Sequence, residues 1–477
     1  MSETPFNRTK IIATIGPACS GYKDLLALAE AGMDVCRLNF SHGEHESMNE
    51  ILEHIHKINE SDEFNIAILA DLQGPKLRVG IMPEEGVKLE KGKNISITNE
   101  EITGTVEKFT LRYPHLKEDL IPGVRILLDD GKMEVEINKA ISNNEVEAKI
   151  IRGGILKSKK GFNIPGAKLS LPALTEKDEN DLQFILNHDI DWIALSFVRS
   201  ADDVKELRKR ICDAGKPHRV IAKIEKPEAV DDIQNIINTA DGIMVARGDL
   251  GIEMPLQAVP VIQKNIIQKC ISAAKPVIVA TQMMESMMEN TIPSRAEVSD
   301  VANAVIDGAD AVMLSGETSV GKHPVLTVAT MDNIINDVEK DHRPFHKLRK
   351  PVENSATFIS DEICYSAARI SHHLEAKGIV VMTQSGSSAR KIASYRPHSN
   401  LFIFSENTKL LRCLALLWGV RTFYYSDYVS TDQTISDTMQ KLNEAGLVET
   451  GDILVHTASM PIENRGRANA LKISVIE

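Results

Sequence analysis

The sequence predicts an α/β protein: a (β/α)8 TIM barrel with an inserted small β-barrel lid and a C-terminal α/β domain with a mostly parallel sheet. Three patterns carry this. Short runs rich in Ile, Val and Ala alternate with longer amphipathic stretches, the rhythm of parallel βα units. That rhythm breaks once, between about Ile81 and Asn163, and after a polar, Pro-punctuated stretch beyond Asp341 it starts again.

In order, the strand candidates are KIIATIG (from Lys10), DVCRLNF (Asp34), IAILADL (Ile66), DWIALSF (Asp191), RVIAKIE (Arg219), GIMVARG (Gly242), PVIVATQ (Pro276) and AVMLSGE (Ala311). They number eight, enough to close a parallel barrel. YKDLLALAEAG, ADDVKELRKRICDAG and VDDIQNIINTA read as intervening helices, and Gly often follows at the C-terminus. Inside the break, GVKLEKGKNISIT, RILLDDGKMEVEI and EVEAKIIRGG alternate apolar and polar residues around Gly turns, as a β unit does. DHRPFHKLRKPVENS reads as a linker, and GIVVMT, NLFIFS, VRTFYY and DILVHT as the strands of the last domain. The expected division is a barrel from 1–80 plus 164–341, a lid at 81–163 and an α/β regulatory domain at 355–477.

Composition narrows the function. With 55 Lys and Arg against 67 Asp and Glu, the net charge of -12 argues against nucleic acid or an anionic membrane as partner. No apolar run reaches the roughly 18 residues of a membrane span, and the first residues lack a secretory core, so a cytoplasmic location is expected. The six cysteines, Cys19, Cys36, Cys212, Cys270, Cys364 and Cys413, form no C-x-x-C pair and read as reduced packing residues.

A parallel barrel builds its site where the strands end, so polar residues there carry the chemistry. Side chains alternate along a strand, which puts Arg37, Asn39 and Ser41 on one face of R-L-N-F-S, aligns Lys223 with Glu225 in K-I-E, and aligns Arg247 with Asp249 in A-R-G-D. Asp71, Thr281, Ser315 and Glu317 finish other strands. A single strand-end charge is usually a solvated loop group. Lysine and glutamate two apart in an apolar run are different, because burial penalises both unless they face each other, a metal or a ligand. Glu225 and Asp249 supply hard oxygen donors for Mg²⁺, and Lys223 and Arg37 add positive charge beside it. That arrangement suits a transferring phosphoryl group or an enolate. There is no G-x-x-x-x-G-K-[ST] loop, no H-E-x-x-H and no nucleophile elbow. The residues alone give a Mg²⁺-dependent barrel enzyme acting on an anionic carbon acid.

TKIIATIGP, RLNFSHG, ADLQGPKLRVG, KSKKGFNIPG, ALSFVR, KIEKPEAV, GIMVARGDLGIE, ATQMMESM, PSRAEVSDVANAV and MLSGET, in that order, resemble the motifs of the pyruvate kinase family across most of residues 9–330. The resemblance implies phosphoryl transfer from phosphoenolpyruvate to ADP in glycolysis, giving pyruvate and ATP. It implies a catalytic set of Arg37, Lys223, Thr281, Ser315 and Glu317, a substrate site of Arg37, Lys223, Gly248, Asp249 and Thr281, and Mg²⁺ on Glu225 and Asp249. A second Mg²⁺ would come with the nucleotide, and Mn²⁺ would substitute. Asn39, His42, Arg78 and Lys160 match positions that meet ADP or ATP. Asn39, Ser41, Asp71 and Leu72 match a monovalent-cation region, but Lys76 stands where potassium-dependent members carry Glu, and Leu72, Gln73 and Val79 resemble the potassium-independent branch. Lys76 is therefore expected to replace the ion, so that potassium is not required. Thr383, Ser385, Gly386, Ser387 and Ser388 resemble a loop for a phosphorylated effector, in front of a helix from Ala389. The family is generally homotetrameric, and the subunit-contact helix resembles PSRAEVSDVANAV. Ser319 and His323 depart from the usual Ala and Tyr. The competing readings are another Mg²⁺-dependent phosphoenolpyruvate or enolate barrel enzyme, and a catalytically silent regulatory or binding protein on the same scaffold.

Overall fold

Strands buried on both faces send alternate side chains to the barrel axis and to the surrounding helices. The computed structural model describes residues 7–41, 43–61, 63–166, 172–341, 345, 347–353, 355–460 and 466–477. The chain begins the barrel with β1 (Lys10–Ile15), β2 (Val35–Asn39) and β3 (Ala67–Asp71). The insert follows with β4 (Val87–Leu89), β5 (Asn94–Thr98), β6 (Lys108–Thr110), β7 (Arg125–Leu128), β8 (Met133–Ala140), β9 (Glu145–Arg152), β10 (Gly154–Leu156) and β11 (Phe162–Asn163). The barrel then resumes with β12 (Trp192–Leu195), β13 (Arg219–Ile224), β14 (Gly242–Ala246), β15 (Val277–Ala280) and β16 (Ala311–Leu314). All eight barrel strands are parallel and the ring closes where Lys10 pairs with Ala311.

Alternation along these strands builds the interior. Ile12, Val35, Leu69, Trp192, Ala194, Ile221, Met244, Ile278 and Met313 form one apolar cluster within the ring, joined by Cys413 and Leu416 from the C-terminal unit. Their neighbours Ile11, Cys36, Ile68, Ile193, Ala222 and Ile243 belong to the larger core shared with the helices. Two residues past the axial set, toward the C-terminal ends of the strands, the same parity gives Thr14, Arg37, Asp71, Ser196, Lys223 and Ser315. The barrel therefore changes from an apolar column to a polar rim within one step of the pleat.

The insert forms a six-stranded sheet, β11-β7-β8-β9-β5-β6, and a two-stranded ribbon, β10-β4. Its edges meet through the entering chain: Arg78 bridges Gly161 beside β11, and Val79 bridges Leu111 beside β6. The small barrel thus closes through two isolated bridges instead of a continuous ladder. It has a core of its own, including Val79, Ile97, Phe109, Ile126, Val135 and Ile150.

The C-terminal sheet comprises β17 (Gly378–Met382), β18 (Asn400–Ser405), β19 (Val420–Tyr424), β20 (Ile453–Ala458) and β21 (Ala470–Val475), in the order β19-β18-β17-β20-β21. β21 is antiparallel and was not anticipated, because most of its side chains are partly or fully exposed and ALKISV shows no clear apolar face.

Five local expectations are corrected. The strand reading of A-R-G-D fails: β14 stops at Ala246 and a helix begins at Arg247, so Arg247 and Asp249 lie about 200° apart around its axis. β2 stops at Asn39, so Ser41 lies beyond the strand face that carries Arg37. VDDIQNIINTA is split at Asp232 into Pro227–Asp231 and Ile233–Thr239, and the helix expected from Ala389 starts at Ser387, after Gly386 with a φ of 75°. Cys212 is exposed while the other five cysteines are buried, because it sits on the solvent side of an amphipathic helix.

Candidate active site

Lys223 reaches the axis at the level where the apolar column ends. Its Nζ lies 3.2 Å from Asp71 Oδ1 and 3.1 Å from Glu225 Oε1, and donates to Ser196 Oγ at 2.7 Å. Arg37 approaches the same carboxylate from β2, with Nη2 2.7 Å and Nε 2.8 Å from Asp71 Oδ2, and its Nη1 donates to Thr14 Oγ1 at 2.8 Å. Asp71 is thus shared by two cations.

Burial is the largest influence on all three titrating groups, and the outcome differs. The charges of Lys223 and Arg37 outweigh it at Asp71, which is held below the ordinary carboxylate range. Asp71 and Glu225 outweigh it at Lys223, whose amine is pushed above its ordinary value. At Glu225 burial wins and the charge of Asp249 adds to it, so the carboxyl is raised despite Lys223. The Lys223–Glu225 pair is therefore unequal: the lysine is firmly charged, and the glutamate is the group most in need of another cation.

Glu225 Oε2 accepts from the Phe197 N–H at 2.7 Å, an amide aimed by a left-handed φ of 55°. Its Oε1 is buried and makes no directed hydrogen bond, although Lys223 is near. A buried oxygen with free lone pairs, close to a second carboxylate at Asp249, fits a hard divalent ion. Among the described residues no group of three or more His, Cys, Asp or Glu is placed to hold a metal, so the other ligands would be water or substrate oxygens.

Across the mouth, the Gly248 N–H donates to Thr281 Oγ1 at 2.7 Å, and that hydroxyl donates to the Ala280 carbonyl at 2.6 Å. Thr281 has a φ of 70°, an uncommon conformation for a β-branched residue, which marks this turn as strained. Glu317 is 2% exposed and joins two strand ends, accepting from Ser315 N at 2.7 Å and Met284 N at 3.2 Å. Arg247 is largely buried, pairing with Asp300 at 2.7 Å and donating from Nη2 to the Thr281 carbonyl at 2.7 Å.

The other expected residues are more dispersed. Asn39 pairs in register with Asp71, and its Oδ1 accepts from Ser41 N at 3.1 Å. The Leu72 carbonyl accepts from Ser196 Oγ at 2.7 Å. On the insert, Arg78 Nη1 donates to the Lys159 carbonyl at 3.1 Å and Lys160 Nζ lies 2.8 Å from Asp129. His42 lies outside the described residues. Lys76 is exposed and borders a cavity between barrel and insert, along with Asn163, Phe197, Lys226 and Asp249. Far from this mouth, Thr383 Oγ1 accepts from Gly386 N at 3.0 Å and Ser385 Oγ from Ser387 N at 3.4 Å.

Sequence reasoning missed Thr14 and Ser196, which orient Arg37 and Lys223. The parity rule would have found both, each two residues beyond an axial apolar residue. It also missed Glu253, which pairs with Lys226 and accepts from Asn163 Nδ2 at 2.8 Å; only the fold brings those three together.

Residues 6–328 match the family model described as pyruvate kinase, barrel domain, and residues 361–474 match pyruvate kinase, alpha/beta domain. A pyruvate kinase of Geobacillus stearothermophilus is 43% identical over 473 residues, covering 98% of this chain and 80% of that protein. A pyruvate kinase of Corynebacterium glutamicum is 42% identical over 469 residues, covering 98% of both. Among solved structures, a pyruvate kinase from Cryptosporidium parvum matches with a TM-score of 0.92 and 34% identity, covering 99% of this chain and 96% of that one.

Proposed function

Because the chain belongs to the pyruvate kinase family, we infer that the polar rim of its barrel is where phosphoenolpyruvate gives its phosphoryl group to ADP. The enzyme is a phosphotransferase with phosphoenolpyruvate and ADP as substrates and pyruvate as product. This match over nearly the full length answers both competing readings, another barrel enzyme and a silent scaffold. The observation that carries the site assignment is Lys223 Nζ, desolvated and held 3.2 Å from Asp71 and 3.1 Å from Glu225.

In the reaction the phosphorus–oxygen bond of phosphoenolpyruvate breaks, a bond to a β-phosphate oxygen of ADP forms, and the enolate left behind takes a proton at carbon. Arg37, its orientation fixed by Asp71 and Thr14, has N–H groups to spare and grips the substrate phosphate. Lys223 faces the transferring group and the enolate oxygen, where its charge offsets the negative charge that develops. The substrate carboxylate binds the Gly248 and Asp249 amides and the Thr281 hydroxyl, replacing the present Gly248–Thr281 bond. Thr281 then stands near the path by which water protonates the enolate, and Ser315 and Glu317 hold that loop. Members of the family generally use Mg²⁺. Glu225 and Asp249 would hold it here, and when bound it supplies polarisation of substrate oxygens.

A second Mg²⁺ accompanies the nucleotide, Mn²⁺ serves in its place, and Asn39, His42, Arg78 and Lys160 meet ADP. For Lys160 this requires leaving Asp129 as residues 81–163 close over the mouth. The remaining residues divide as a barrel of 1–80 plus 164–341 and a regulatory unit of 355–477. The assembly is a cytoplasmic homotetramer, with Thr383–Ser388 taking a phosphorylated effector.

The enzyme works without potassium. Both Asp71 oxygens already face cations, the Leu72 carbonyl is taken by Ser196, and Lys76 brings a further charge to the mouth. A lactate dehydrogenase-coupled assay with phosphoenolpyruvate, ADP and Mg²⁺ tests both claims, run in tetramethylammonium with and without potassium. Wild-type turnover should persist without potassium, and Lys76→Glu should become potassium-activated. Absence of turnover under all conditions would overturn the activity. More than about tenfold potassium activation of the wild type, or roughly 1.4 kcal/mol, would overturn only the potassium claim.

A further inference from the structure

We propose that the seam between the barrel and the C-terminal unit holds a separate anion site that takes the phosphate of a small phosphorylated metabolite. A cavity of ≈ 350 Å³ lies there, in the range of small-ligand pockets. It is walled by the end of the barrel helix Val259–Ser272, residues 347, 349–352, 355 and 357 of the connection, and the second half of the helix Ser387–Ser394.

Its charge is one-sided. Lys347, Arg349, Lys350 and Lys391 line it against a single carboxylate, Asp361, a local excess of three positive charges in a chain whose net charge is -12. Asp361 is partly spent: its Oδ2 accepts from Thr357 Oγ1 at 2.9 Å and lies 3.4 Å from Lys391 Nζ. Arg349 is held at the rim by Gln268, with Nη2 3.1 Å from Oε1. Among the described residues no carboxylate pairs with Lys347 or Lys350. Four cations gathered in a concave site against one carboxylate attract an anion from solution.

Tyr395, also on the wall, adds an independent observation. Its ring stands at the cavity edge with Lys391 Nζ 5.9 Å from the ring centre, and its hydroxyl is buried without a partner. Burial also raises the hydroxyl's pKa, so it stays protonated and able to donate. The Tyr395 carbonyl is satisfied by Lys347 N at 2.9 Å, so the helix end does not present that acceptor to an anion. Lysine charge with hydroxyl donors is a phosphate-binding chemistry.

The site differs from the loop Thr383–Ser388. The loop turns through Thr383–Gly386 ahead of the helix, whereas Lys391, Ser394 and Tyr395 sit on its later turn and end; the nearest members, Ser388 and Lys391, are three residues or about 4.5 Å of rise apart.

Pyridoxal 5′-phosphate tests this in the full-length enzyme. Its phosphate seeks an anion site, and its aldehyde condenses with a nearby lysine amine, losing water to form an imine that borohydride reduces to a stable secondary amine. Peptide mapping should find Lys347, Lys350 or Lys391 labelled at least about tenfold above the exposed Lys91 and Lys149, with inorganic phosphate protecting. In the double variant Lys347→Gln, Lys350→Gln the preference of Lys391 should vanish while turnover at saturating substrate stays unchanged. Ser387→Asp should leave the labelling intact. Labelling no greater than at Lys91 and Lys149, failure of phosphate to protect, or loss of labelling in Ser387→Asp would each overturn the proposal.

Discussion

Replacing Lys223 by methionine removes one charge and keeps the length of the side chain, and the surroundings determine what is lost. Asp71 retains Arg37 at 2.7 Å and 2.8 Å, so it stays ionised. Glu225 loses the cation 3.1 Å away and keeps the opposing charge of Asp249. At that separation and an effective dielectric near 20, the lost attraction is about 5 kcal/mol. A transferring phosphoryl group at a similar distance from the amine is stabilised on the same scale, and losing half or more of that lowers turnover by at least about 10² to 10³, the scale for removing one preorganised charge partner. The same loss raises the Glu225 carboxyl further. A carboxyl raised on folding contributes stability that is present below its unfolded value, about 4.3, and is lost as pH rises through the folded value. The thermal deficit of Lys223→Met without metal should therefore be larger at about pH 8 than at about pH 5. Turnover comes from the coupled assay and stability from thermal melts across pH. Turnover within tenfold of wild type would remove Lys223 from the mechanism, and a deficit independent of pH would refute the electrostatic account of Glu225.

Glu253→Gln keeps the shape of the group that joins Lys226 to Asn163 but removes its charge, loosening the join between insert and barrel. KM for ADP should rise several-fold while KM for phosphoenolpyruvate changes little; equal changes in both would assign Glu253 to general stability. Ser387→Asp places a carboxylate where the effector phosphate is expected and should abolish activation by phosphorylated metabolites. A wild type indifferent to sugar phosphates and AMP would show that the loop only begins a helix. His218 is 7% exposed and burial, aided by Lys409, lowers its pKa to about 4. A base lowered on folding stabilises the native state above its unfolded value of about 6.5, and up to roughly 3 kcal/mol is lost as pH falls from there to about 4. His218→Gln should flatten that part of the pH–stability curve, which urea titrations at several pH values would reveal. An unaltered slope would refute the titration.

The barrel was legible because both faces of its strands are buried, which leaves runs such as KIIATI and RVIAKI almost without polar interruption. Each interruption therefore carried meaning, and the lysine in A-K-I-E could be assigned to the axis from parity alone. The reasoning failed where the backbone changed state within the motif. Nothing in A-R-G-D marks the helix that begins at Arg247, because the strand before it ends without proline, glycine or a side-chain cap. Extending the strand by three residues put Arg247 and Asp249 together, when the helix sends Arg247 to Asp300 instead.

What stayed invisible were contacts between distant segments. Asp71 was read as one group near a cation site, yet its carboxylate is the point where β2 and β13 meet electrostatically, with Arg37 34 positions away in sequence. Such a group has no local signature. It becomes apparent only when closure of the barrel puts the ends of β2, β3, β12 and β13 around one axis. The same closure explains why the two cations do not simply repel. Asp71 is 1% exposed, so its charge is little screened and holds both, and Arg37 still keeps N–H groups to spare. Charge neutralisation at the floor of the site thus comes from the fold, and electropositive reach at its mouth comes from the residues the strands happen to end on.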